Sequence, residues 1–112
     1  MKRIFHYRVL TPDGSEHVCA TEMSEVPTQP ELRATVEPHL GGARMHHVRV
    51  KVGDDEASMF VDELFCPKEL PRNEKATVFY RSEWLSMHPD DDPESMPYIA
   101  GTVVIFDEIV WA

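Results

Sequence analysis

The chain has 112 residues, with eleven Lys and Arg against twenty Asp and Glu and a formal charge of -9. A length in this range supports one core and would leave two poor ones if divided, so residues 1–112 are read as a single domain. The negative field repels phosphate backbones and anionic lipid heads, which argues against nucleic-acid and membrane partners, and no stretch reaches the roughly 20 apolar residues that a spanning helix needs.

Met1-Lys2-Arg3 begins as a signal peptide does, but no apolar run follows it, so the cytoplasm is the expected compartment. Phe5, Tyr7 and Val9 then alternate with His6 and Arg8, the two-residue period of a strand with one buried face. Thr11-Pro12-Asp13-Gly14 is a turn, Pro12 presetting φ and Gly14 tolerating a positive one, so residues 15–20 are predicted to return as a hairpin. A loop through Pro27 leads to a helix capped by Thr28 or Gln29, with Leu32, Val36 and Leu40 on one stripe. Pro38 should distort or end its last turn before Gly41-Gly42 terminates it.

Val48, Val50 and Val52 share one parity and Arg49 and Lys51 the other, a strand with a core face and a wet face. After the turn at Gly53-Asp54-Asp55, residues 57–61 read as its antiparallel partner. Asn73 is placed to cap a helix from Glu74 to Met87, on which Ala76, Phe79, Tyr80, Trp84 and Met87 form a packing stripe. Three prolines with Asp90-Asp91-Asp92 and Glu94 make an exposed loop of the next segment. Residues 102–106 are an almost unbroken β-branched and aromatic run, expected as a central strand covered on both faces, and Ile109-Val110-Trp111 would extend it or add a short edge. The order β-β-α-β-β-α-β predicts an α+β fold: an antiparallel or mixed five-stranded sheet with two helices packed on one face, the valine-rich strand and the C-terminal run lying side by side.

Evidence for chemistry is thin. His46-His47 project to opposite faces of a strand and cannot grip one ion, while His6 and His17 could meet across the first hairpin but lack a third ligand. Asp90-Asp91-Asp92-Pro93-Glu94 lacks the alternating spacing of a calcium loop, and no metal or cofactor is expected. No G-x-S-x-G elbow is present, so no catalytic residue is assigned; Cys19 or Cys66 with a His, or a His with an Asp, would have to be shown together in a pocket. Gly41-Gly42 is read as a helix cap in place of a phosphate cradle, because no Lys-Ser or Lys-Thr follows. Asp54-Asp55-Glu56 and Asp62-Glu63 would have to join the Asp90 loop in one stripe to imitate the phosphates of a nucleic acid.

Four segments carry a resemblance: Gly41-Gly42 entering the Val-rich strand, Met59-Phe60-Val61-Asp62-Glu63, Leu70-Pro71-Arg72-Asn73-Glu74-Lys75-Ala76-Thr77, and Tyr98-Ile99-Ala100-Gly101-Thr102-Val103-Val104-Ile105-Phe106. In this order, over residues 29–106, the chain resembles a small family carried by bacteriophages, plasmids and the bacterial genomes that harbour them, a domain of unknown function. It departs from the family at Phe65-Cys66-Pro67-Lys68, where a Gly-containing turn is expected. The resemblance implies a mobile-element accessory protein that acts in the bacterial cytoplasm by binding a host component, and it brings no catalytic residues. Arg72, Asn73 and Lys75 at the start of the second helix, where backbone N–H groups can receive an anion, and Asp90, Asp91 and Asp92 in the acidic loop are the candidate contacts. The expected partner is a host protein or, alternatively, a small ligand such as a nucleotide.

Overall fold

In the computed structural model, which describes residues 1–64 and 68–111, the first two strands are longer than their alternation suggested. Strand β1 (Lys2–Leu10) pairs antiparallel with β2 (Glu16–Ser24) from Lys2 opposite Ser24 to Leu10 opposite Glu16. Their turn is closed by Asp13, whose carboxylate accepts from the Thr11 hydroxyl and from the Ser15 N–H and is held at about 2 by those bonds. Helix α1 (Gln29–Val36) begins at Thr28, whose hydroxyl oxygen accepts the Glu31 N–H while Glu31 reaches back to the Thr28 N–H, a reciprocal capping box. Pro38 does not stop the chain there; it tightens the helix into a 3-10 turn, Glu37–Leu40, which ends at Gly41 with a left-handed φ of 69°.

Strands β3 (Met45–Val52) and β4 (Asp55–Asp62) form the second hairpin, helix α2 (Glu74–Met87) follows its Asn73 cap, and β5 (Val103–Phe106) inserts in the middle of the sheet. The order is β2-β1-β5-β4-β3, and every pairing is antiparallel. The fold is α+β, a five-stranded antiparallel sheet with two helices. Strands β3 and β5 are not neighbours as expected: β4 lies between them, with Met59 opposite Ile105 on one side and Val48 on the other.

The helices lie one on each face, where the element order suggested both on one. Phe5, Tyr7, Val9, Phe60, Val104 and Phe106 pack with Leu32 and Val36 of α1, whereas Leu10, Val50, Met59, Val61, Val103 and Ile105 pack with Ala76 of α2. Alternate residues of β5 therefore feed two cores, and all four are buried. Full burial of each large side chain contributes roughly 1.5 to 3 kcal/mol, so both layers are needed.

Three smaller expectations change. On α2 the core stripe is Ala76, Thr77 and Arg81 with Phe79 and Tyr80 beside it, while Trp84 and Met87 are exposed. The helix runs past the end of the layer it covers, and Trp84 instead lies on His88 and donates its indole N–H to Asp91. His6 faces Ala20 and His17 faces Val9 in the register, which puts the two histidines on opposite faces of the hairpin. Ile109-Val110-Trp111 is not a strand; the Ser58 N–H donates to the Glu108 carbonyl at 3.2 Å, holding this segment against β4. Phe65, Cys66 and Pro67, where the chain departs from the resembled family, lie outside the described residues, and with them any pairing of Cys66.

Candidate functional site

Helix α1 lies on the sheet face toward which His47 and Phe60 point, and a cleft of about 340 Å³ opens there, lined among others by Gln29, Arg33, Arg44, His47, Phe60 and Trp111. Gln29 and Arg33 are four residues apart on α1, so one helical turn stacks them along the rim. His47 and Phe60 are directly opposite each other in the β3–β4 register and share the α1 face. Trp111 is brought in by Ser58, whose hydroxyl oxygen accepts the Val110 N–H at 2.9 Å.

The cleft has an aromatic wall and a basic rim. The His47 ring stands 6.1 Å from Trp111 at 27° and 5.2 Å from Phe60, and Phe60 meets Trp111 edge to face at 6.3 Å. His47 Nε2 is 2.9 Å from Ser58 Oγ. Burial pushes the His47 imidazole below its ordinary value, with Arg49 and His46 adding to the effect. Since Ser58 Oγ already accepts from Val110, its O–H is free to donate to a neutral His47, which then carries its proton on Nδ1. Ser58 is fully buried, so this Ser–His pair builds the wall and offers no exposed nucleophile.

On the rim, Arg44 has one carboxylate partner, Glu63 at 3.5 Å, and the Arg44 side chain is 72% exposed. Arg33 has no ion-pair partner among the described residues, although its Nε is buried and makes no hydrogen bond. Glu37, one turn further along, is turned away to accept the Met45 N–H at 3.0 Å. A second depression, lined by Arg33, Glu37, Gly42 and Arg44, continues the basic rim.

No family model, curated protein or solved structure matches this chain. Its own geometry therefore carries the functional reading.

The residues singled out in the sequence lie elsewhere and divide into two groups. Asn73 is buried: its carboxamide caps α2 at the Ala76 N–H and donates to the carbonyls of Leu10 and Gly101. Arg72 pairs with Glu74 at 2.7 Å and lies over the Tyr98 ring, and Lys75 pairs with Glu16 at 3.1 Å. Asp91 accepts from Trp84, Asp92 accepts the Glu94 N–H, and Asp90 is exposed. The two groups stand at opposite ends of α2, about 20 Å apart at 1.5 Å per residue. Among the described residues no three His, Cys, Asp or Glu side chains gather as a metal site would require, and no helix is long and apolar enough to cross a membrane.

In the sequence, the alternation of β3 points the parity of Arg49 and Lys51 at solvent, which hides the cleft. His47 shares that parity with Met45 and Arg49, and only the position of α1 turns it into a wall. The one available signal was the β5 run itself, whose unbroken apolar character calls for cover on both faces.

Proposed function

We propose that this chain is a non-catalytic binding protein of the mobile-element kind, acting on a host protein through the free side of its first hairpin. One observation supports this above the others: on the face that α2 occupies, the outer part of the β1–β2 hairpin is bare. Ile4, His6, Val18 and Ala20 alternate onto that side of β1 and β2, all are exposed, and Val18 retains 79% of its surface. Strand β2 is also an edge of the sheet, nine residues long, with no Pro, Lys or Arg to discourage another strand from pairing. At the opposite edge, β3 carries Arg49 and Lys51 and is flanked by α2. An extended segment of a partner could add to β2 by main-chain hydrogen bonds while its alternate side chains cover Val18 and Ile4. Glu22 on the same strand, exposed and in no ion pair among the described residues, favours a segment with a basic residue.

The acidic-mimic reading gains no comparable support, since Asp54-Asp55-Glu56 and Asp62-Glu63 lie at opposite ends of β4 and several of these carboxylates are paired with cations. A photo-reactive side chain placed at Val18, in the bacterial host, should give one or a few discrete protein adducts, and the same group at Asp54 should not. Equal labelling from both positions, or no adduct from Val18, would overturn the proposal.

A further inference from the structure

The α1–β3 cleft lies on the other face of the sheet from the bare hairpin, and its chemistry differs. Of the seven arginines, Arg33 is the one without a carboxylate partner among the described residues, in a chain with twenty acidic residues from which to find one. Its Nε, like that of Arg81, is buried and makes no hydrogen bond within the protein, but Arg33 alone of the two lines the cleft. The acidic side chains that line these depressions with it are engaged elsewhere: Glu37 accepts from the Met45 backbone, and Glu63 is paired with Arg44. The same cleft is lined by three rings in mutual contact, His47, Phe60 and Trp111. A volume of about 340 Å³ is within the range of small-molecule sites.

We propose that this cleft binds a small organic anion built on a planar ring, with its phosphate or carboxylate held between Arg33 and Arg44 and its ring laid against Trp111 and His47. Guanidinium groups recognise such oxyanions in pairs of parallel hydrogen bonds, and a negative group would give the Arg33 guanidinium the ionic partner that no described carboxylate provides. The aromatic wall would take the ring, and Gln29 at the rim could bond an edge of it. Nucleoside monophosphates and aromatic carboxylates share this chemistry. The site is independent of the hairpin surface, so either proposal can fail alone.

Calorimetry and Trp fluorescence on the purified full chain test it, with four probes: the nucleoside 5′-monophosphates, indole-3-carboxylate, adenosine and inorganic phosphate. At least one ring-bearing anion should bind in the micromolar to submillimolar range, and whether it is a nucleotide or a carboxylate identifies the source. Arg33→Gln should weaken that binding at least tenfold. Arg44→Gln, at a side chain too exposed to affect folding, should weaken it several-fold. Quenching should persist in Trp84→Phe and vanish in Trp111→Phe, since Trp84 is on the α2 side. Adenosine or phosphate binding as tightly as the ring-bearing anions would overturn the proposal, as would affinity unchanged in both arginine variants or no binding at millimolar concentration.

Discussion

The side-chain nitrogen of Asn73 donates to the carbonyl of Leu10 at 3.0 Å, tying the start of α2 to the last residue of β1. The same nitrogen donates to Gly101 at 2.9 Å, and its oxygen accepts the Ala76 N–H at 3.1 Å. One carboxamide thus joins the first hairpin, the second helix and the approach to β5.

Asn73→Ala removes a helix cap and strands two buried carbonyls, a loss of about 3 kcal/mol when a cap and an unsatisfied acceptor are combined. Urea unfolding should show a lower midpoint with an unchanged slope. Asn73→Asp is the sharper variant, because it keeps the capping oxygen but sets a carboxylate against two carbonyls. Its carboxyl should have a raised folded pKa, so this variant should gain stability as the pH falls through that value and the protonated carboxyl regains a donor.

Gly101 has a φ of +80°, and a Cβ there would lie 2.8 Å from Leu70 Cδ1. Its N–H also donates to the Pro71 carbonyl at 2.7 Å, so the backbone cannot simply move aside. Gly101→Ala should cost about 1 to 2 kcal/mol, most of it from the left-handed conformation, since Leu70 Cδ1 is the far end of a side chain that can turn aside. Gly14→Ala, which has a similarly positive φ but nothing within 4 Å, should cost less, and the difference in thermal midpoint between the two isolates the contact.

The local signals were mostly legible. Thr28 with Glu31, Asn73 before Glu74, and the Thr11 to Gly14 turn each announce an element by the hydrogen bonds that their side chains make with nearby backbone. What periodicity could not supply is which face a helix chooses, since that depends on connections between distant elements. The unbroken apolar run of β5 required cover on both sides, and placing both helices on one side contradicted it. From that single misplacement followed the neglect of His47, Phe60 and Trp111, while Asn73 was legible as a cap yet not as a buried tie, because Leu10 is too far away in sequence to suggest the contact.

Exposure of Met87 gives a direct check on how far the second core extends. It keeps 68% of its surface on α2, whereas Ala76 keeps none. Met87→Gln should therefore change stability by less than about 0.5 kcal/mol, and Ala76→Leu, which inserts atoms into a filled layer, should cost about 1 to 3 kcal/mol. A large loss from Met87→Gln in thermal unfolding would restore it to the core stripe.

His47 makes stability depend on pH in a window of its own. Its folded pKa is depressed by burial, with Arg49 and His46 adding, so the unfolded chain binds the proton more readily. The contribution is fully present above the unfolded value near 6.5 and is lost as the pH falls through that value toward the lower folded one. Protonation would also place a donor on Nε2 and deprive the buried Ser58 O–H of its acceptor. Glu31 and Asp13, held at about 2, act in a separate and more acidic range, losing their contribution only as the pH drops below ordinary carboxylate values. The thermal midpoint should thus decline between about pH 7 and pH 5.5 and decline less in His47→Gln, whose amide can still meet Ser58. The NMR titration of the His47 ring should have its midpoint below 6.5; a midpoint above that value would mean that the buried form is stabilised by the charge, and the slope should then reverse.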